Sequence, residues 1–306
     1  MSTDLARTAA NRSSKRLAAA HRRKTYTGER VEAALAGIGR KNDIGLDACS
    51  PVQRSFRAFF ALGLFNDGPA GARPGAWGYT RLSAYDPVVS PRWDELVVIA
   101  ERAPDNVVGW LVPKQNRGML CVPGLRLAAM STRDWGTFYL RHEPTGARLV
   151  VTGRRAGPLR DDERRSGSWR DALLEGEPLS GAERRAMGSV PSMTPDAEVL
   201  LAGLVTRYAM EDRREKWATS WSWDPLDRSG DRRQDADLMS RNVERRLWGE
   251  GDSWELRWTG YPYPADLARA LTHPVVGIPG AALHLHRDIF EVTYGSALLE
   301  IREWRA

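Results

Sequence analysis

The stretch His284-Leu285-His286-Arg287-Asp288-Ile289-Phe290-Glu291 concentrates side chains that can ligate a metal. Residues two apart on a strand point to one face, so both imidazoles can approach a single ion. Glu291, on a following strand, would add a carboxylate, and a His₂-carboxylate set suits a divalent transition metal. A second constellation is Asp288 with Glu300-Ile301-Arg302. Paired carboxylates can hold a divalent cation. Because a guanidinium does not shed its proton near neutrality, Arg302 would only stabilise charge.

The spacing His-x-His-x4-Glu in residues 284–291 resembles the first metal motif of cupins. That resemblance implies a further histidine from a second motif, which His142 or His273 would have to supply. The Asp288/Glu300/Arg302 arrangement is similar to nucleases of the PD-(D/E)xK type, although only four residues follow Arg302. Other chemistries lack their residues. Gly63-x4-Gly68 is followed by Pro69 and not Lys-Ser/Thr, and Gly37-Ile38-Gly39 lacks the third glycine of a dinucleotide turn. Gly-x-Ser-x-Gly, His-Glu-x-x-His and Cys-x-x-Cys do not occur, and Cys49 and Cys121 cannot build a disulfide framework.

Charge offers a different kind of site. Residues 1–41 carry ten Lys/Arg against three acids, while the other 265 residues carry 35 against 36. The whole positive excess belongs to an N-terminal arm, the pattern expected of a segment drawn to a polyanion. Lys15, Arg16, Arg22, Arg23, Lys24, Arg30, Arg40 and Lys41 are the candidate phosphate contacts. Such contacts position a backbone and read little sequence. A helix-turn-helix is excluded, because aligning Gly28 to the turn puts Arg23 and Thr27 where that motif packs apolar side chains. Six tryptophans between Trp217 and Trp258 fit core anchors better than a stacking platform, with Trp221 and Trp223 expected to be the most exposed.

These residues must be held by elements that the pattern outlines. Ser13–Ser14 caps a helix to Lys24, and Thr27 caps another over 29–38. Ser50–Pro51 starts a core helix to Phe65, and Ser90–Pro91 repeats the start signal for a helix to Arg102. Strands are expected over 107–112, 119–122, 136–142 and 147–152. Thr194–Pro195 opens what reads as the longest helix, its last turns reaching Lys216, and another helix ends near Trp248. Trp254, Leu256 and Trp258 alternate as a strand face, and a short helix follows near 265–271. Strands over 281–286, 289–294 and 297–301 close the chain. Val122-Pro123-Gly124 and Ile278-Pro279-Gly280 each precede a hairpin, the trace of a β-α-β-β-β unit used twice.

The expected architecture is α+β: a basic helical N-terminal arm (1–42), a first α+β unit (43–153), a charged linker (154–193) and a second unit (194–306), with mainly antiparallel sheets. No apolar run reaches a membrane-spanning length, and 40 Arg against 5 Lys fits a GC-rich bacterial genome and a cytoplasmic setting. The leading functional expectation is accessory, non-catalytic nucleic-acid association without sequence preference, by an arm separable from the body. The alternatives are a metal-dependent enzyme at His284, His286 and Glu291, and an assembly subunit of a phage or mobile-element complex with a protein partner. No cofactor is expected beyond a possible divalent metal.

Overall fold

The computed structural model describes residues 2–39, 43–66, 87–100, 104–114, 122–131, 136–153, 170–221, 224–228 and 245–303, with α1 side chains from Ser13 onward. Among the described residues, seven helices and three sheets make a mixed α+β protein. The helices are α1 (Ser2–Thr27), α2 (Val31–Gly37), α3 (Pro51–Leu64), α4 (Pro104–Leu111), α5 (Gly181–Gly188), α6 (Pro195–Thr206) and α7 (Pro264–Thr272). One sheet holds β1 (Val88–Pro91), β2 (Glu95–Ala100), β3 (Leu125–Ser131), β4 (Thr137–His142) and β5 (Ala147–Gly153), in the order β1-β2-β5-β4-β3. After the small β6–β7 ribbon (Glu211–Asp212 and Trp217–Ala218) comes a second five-stranded sheet. Its strands are β8 (Arg245–Glu250), β9 (Ser253–Trp258), β10 (Ala282–His286), β11 (Ile289–Tyr294) and β12 (Ala297–Glu303), in the order β8-β9-β12-β11-β10.

The two sheets share one topology. In each, a hairpin leads into a helix, three antiparallel strands follow, and the last runs parallel to the second: β2 beside β5 and β9 beside β12. A parallel neighbour demands a crossover, and α4 and α7 begin these crossovers, each with a proline at its first position. The matching turns also bond alike. Val122 N–H donates to Leu111 O and Ile278 N–H to Leu271 O, after which Gly124 (φ +78°) and Gly280 (φ +91°) turn the chain into the next strand. The helix before each sheet is capped alike, Ser50 Oγ accepting from Gln53 N and Thr194 Oγ1 from Ala197 N. These helices, α3 and α6, pack on each other, and one apolar core joins Phe56, Phe60, Leu200 and Leu204 to Leu149, Val151, Leu299 and Ile301.

Several local expectations fail for identifiable reasons. In place of the helix expected from Ser90 to Arg102, residues 90–100 belong to the β1–β2 hairpin, because Leu96-Val97-Val98-Ile99 is a β-favouring run; 101 and 102 lie outside the described residues. Val107–Val112 lies mostly in α4 and not a strand: two valines give way to the need for a crossover. The helix begun at Thr194–Pro195 stops at Thr206, where Asp212 Oδ1 accepts from Arg214 and Glu215 N–H to build the β6–β7 turn. α1, at 26 residues, is the longest helix described. Arg245–Glu250 is strand β8 and not a helix end. Positions 119–121, 154–169 and Arg133-Asp134 lie outside the described residues, and α5 is the helix described within 154–193.

The basic N-terminal segment is packed against the body. Ala19, Ala20, Arg23 and Thr27 are buried, and Tyr26 stacks on Trp217 and meets the His273 ring at a tilt. Arg23 is fully buried. Its Nε and Nη2 donate to Glu29 at 2.6 and 2.9 Å, Nη1 donates to Ile44 O, and Nη2 also donates to Pro91 O. Gly37 lets α2 close over this guanidinium, since a Cβ there would run into it.

Candidate functional site

Sheet register decides what the C-terminal strands can offer. β10 and β11 join through Arg287-Asp288, pairing Leu283 with Val292, His284 with Glu291, Leu285 with Phe290 and His286 with Ile289. The pair that closes a two-residue hairpin exchanges hydrogen bonds, and such pairs alternate along the ladder. His286 and His284 therefore bond to β11, while the N–H and C=O groups of Leu283 and Leu285 point away from it. β10 is the sheet's outermost strand and all five of its residues are exposed. Leu283 is 39% and Leu285 65% exposed. Leu283 and Phe290 also line a groove of about 680 Å³ whose opposite wall includes Asp266, Arg269 and Thr272 of α7.

The corresponding edge of the first sheet is covered. Leu127, opposite Leu140, holds the register position that Leu283 holds opposite Val292. Leu127 N–H donates to Leu173 O at 2.9 Å, and Leu127 O accepts from Glu175 N at 3.0 Å. Residues 172–175 thus lie along β3 as an extended strap, and Leu127 is 7% exposed. The strap is fastened by a buried ion pair: Arg126 Nη1 donates to Glu183 Oε1 at 2.8 Å and Nη2 to Oε2 at 3.1 Å. Burial alone would raise the Glu183 carboxyl, but Arg126 and the Ser180 and Gly124 N–H groups outweigh it and hold it down at about 2.

His284, His286 and Glu291 do share the face opposite the two leucines, as strand alternation requires. The expected third histidine is not with them. His273 borders the groove that Leu283 lines, on the other side of the sheet. His142 is buried in the first unit, where Phe56 and Phe59 pack on its ring. Burial pushes His142 down to about 4, so it is neutral at pH 7. Its partners imply that Nε2–H donates to Pro123 O and Nδ1 accepts from Thr145 Oγ1. Among the described residues, the three carboxylate or imidazole groups whose donor atoms converge within 4.8 Å are Asp212, Glu215 and His273. Their chemistry does not fit a cation. His273 Nδ1 accepts N–H from Val275 and Val276, which puts its proton on Nε2, the nitrogen facing Glu215 Oε1 at 3.6 Å. Ligation through Nε2 would drive the proton onto Nδ1, against two N–H donors.

The phosphate-contact candidates divide. Lys15, Arg16, Arg22, Lys24 and Arg30 are exposed, whereas Arg23 is inside and paired with Glu29; Arg40 and Lys41 lie outside the described residues. Arg16 Nη2 donates to Leu35 O. Lys15 and Arg22 are two helical turns apart and share one flank of α1, with Lys24 on the other. Trp217, Trp221, Trp254 and Trp258 are buried core anchors, contrary to the exposure expected of Trp221, which packs on Phe65 and Trp258. Trp223 lies outside the described residues. Arg302 pairs with Glu255, so its guanidinium serves the sheet face. No protein-family model, curated protein or solved structure matches the chain.

The open edge itself carried no sequence signal. Ala282-Leu-His-Leu-His286 reads as any half-buried strand, and only the contrast with β3 reveals that, among the described residues, its outward backbone groups lack the cover given to their counterparts.

Proposed function

We propose that this chain is a protein-binding subunit whose β10 edge takes up an extended segment of a partner. The observation that carries the reading is the pair Leu127 and Leu283: equivalent in register, one bonded on both sides to residues 172–175, the other at an open edge. Strand addition draws affinity from main-chain hydrogen bonds and specificity from alternate side chains. The favoured segment is therefore apolar at every second residue, its side chains meeting Leu283, Leu285 and Phe290 beside α7. The strap that residues 173–175 lay on the corresponding edge of β3 supports the reading.

The test is selection of short peptides from a display library on the full chain. Enriched sequences should alternate apolar and polar residues, and Leu285→Lys should weaken them about tenfold or more, the worth of one buried aliphatic contact. Enrichment indifferent to Leu285→Lys, or a stable dimer that buries β10 against a second copy, would overturn the reading.

A second reading, accessory nucleic-acid association, rests on the exposed cations of α1. With Arg23 withdrawn and Lys24 on the far flank, about three contacts are available at once, for which log K should fall with log salt at a slope near −3. Anisotropy with labelled duplex and single-stranded DNA, comparing wild type with Lys15→Gln/Arg16→Gln, checks it. Unchanged binding in the variant would remove this reading and leave the β10 edge untouched.

A further inference from the structure

Arg23, Arg57 and Arg126 are buried cations of the N-terminal half, and among the described residues Arg57, unlike the other two, has no carboxylate bonded to it. It lies on α3, 0% exposed, with Nη2 donating to Arg92 O at 2.6 Å and to Glu95 O at 3.2 Å. Among the described residues its Nε and Nη1 have no hydrogen-bond partner. Leaving an ionised group buried and unpaired is expensive. The carboxylate whose charge acts on it is already engaged: Asp47 accepts from Arg207 with both oxygens, at 2.7 Å each.

Arg57 forms part of the wall of a cavity of about 510 Å³ between the 43–49 loop, α3, α6 and the 274–279 turn. Arg54 and Arg22 also line it, while Ile44, Val199, Val275 and Ile278 give it apolar surface. The loop wall is held close by Gly45, at φ +65°, where a Cβ would meet Gly37 O. The volume is that of a small-molecule site, and apolar walls with a few charged groups are the usual composition of one. Three arginines face Asp43 and the already paired Asp47, so the cavity is biased positive. In a low-dielectric interior that bias acts strongly on an entering anion.

We infer that this cavity binds a small organic anion, a carboxylate or phosphate head carried on an apolar body, whose charge supplies what Arg57 lacks. The inference is independent of the β10 edge, sharing no residue with it. The probes are phenyl phosphate and phenylacetate, with inorganic phosphate and benzyl alcohol as the bare head and the uncharged body. Titration calorimetry and thermal unfolding of the full chain should show at least one aryl anion binding and stabilising more than either control. The tighter of the two names the head group. Arg57→Met and the cavity-filling Ala202→Leu should each weaken that anion about tenfold or more, the range of a charge-assisted contact. Should Arg57→Met fail to fold, Ala202→Leu and Arg54→Gln decide. Absence of binding by both aryl anions, equal binding of benzyl alcohol, or undiminished affinity in Ala202→Leu would overturn the proposal.

Discussion

The first and second sheets have the same strand order and the same crossover turns, yet their third strands meet different surroundings. β3 is strapped by residues 172–175 and anchored through Arg126 and Glu183; β10 faces solvent. The strands before the parallel pair differ too. His142 ends β4 under Phe56 and Phe59, whereas Tyr294, at the matching end of β11, lines the cavity beside Val199 and Ala202. The same strand arrangement is closed at these positions in the first sheet and, among the described residues, open in the second. Topology fixes which backbone groups an edge presents, and the connecting chain decides whether they are covered.

Four perturbations sharpen or break this contrast. The largest should be Glu183→Ala, which leaves Arg126 buried without its carboxylate; a loss of about 3 kcal/mol or more is expected in denaturant unfolding. A loss below 1 kcal/mol would mean that the strap is not fastened there. Next is acid. His142 titrates near 4 in the fold against 6.5 when free, so between those values the unfolded chain binds more protons. The His142 contribution should fall as pH drops from 6.5, its loss complete near 4 at about 3 kcal/mol in all, with the loss from Glu183 following at lower pH. His142→Gln should flatten that limb, an outcome that pH-dependent denaturation reads directly.

The turn glycines come third. Both require positive φ, but a Cβ at Gly124 would meet Pro144 Cδ at 2.8 Å, whereas at Gly280 the nearest atom is Tyr294 Cε2 at 3.8 Å. Gly280→Ala should cost about 1 kcal/mol and Gly124→Ala about 2 kcal/mol or more, measured as shifts in unfolding midpoint. Smallest is Leu285→Lys, expected to change stability by less than about 0.5 kcal/mol because the side chain is exposed. A large destabilisation would show that β10 is covered after all.

The sequence made the C-terminal sheet legible because its signals are local. Trp254, Leu256 and Trp258 alternate, Gly295-Ser296 turns the chain, and α7 carries an apolar stripe. It misled at Leu96–Ile99 and Val107–Val112, where a capping signal and β-branched residues point one way and the crossover requirement the other. Arg23 was expected in solvent because it is charged; its partner Glu29, six residues on, is what allows burial. The C-terminal histidines were correctly placed on one face, but His142 and His273 belong to other environments that only tertiary packing reveals. Arg57 gave no signal, since an arginine inside an apolar helix reads as a tolerated surface break. The two candidate sites, an uncovered edge and an uncompensated charge, are defined by what the described residues around them do not supply.

The most direct measurement of the central claim is residue-resolved amide exchange of the free chain, comparing Leu127 with Leu283 and Leu285. A strapped edge should protect Leu127 well above the other two, whose outward N–H groups should exchange almost as freely as loop amides. Addition of a selected peptide should then slow Leu283 and Leu285 without changing Leu127. Equal protection of Leu127 and Leu283 in the free chain would contradict the account, because β10 would already have its partner.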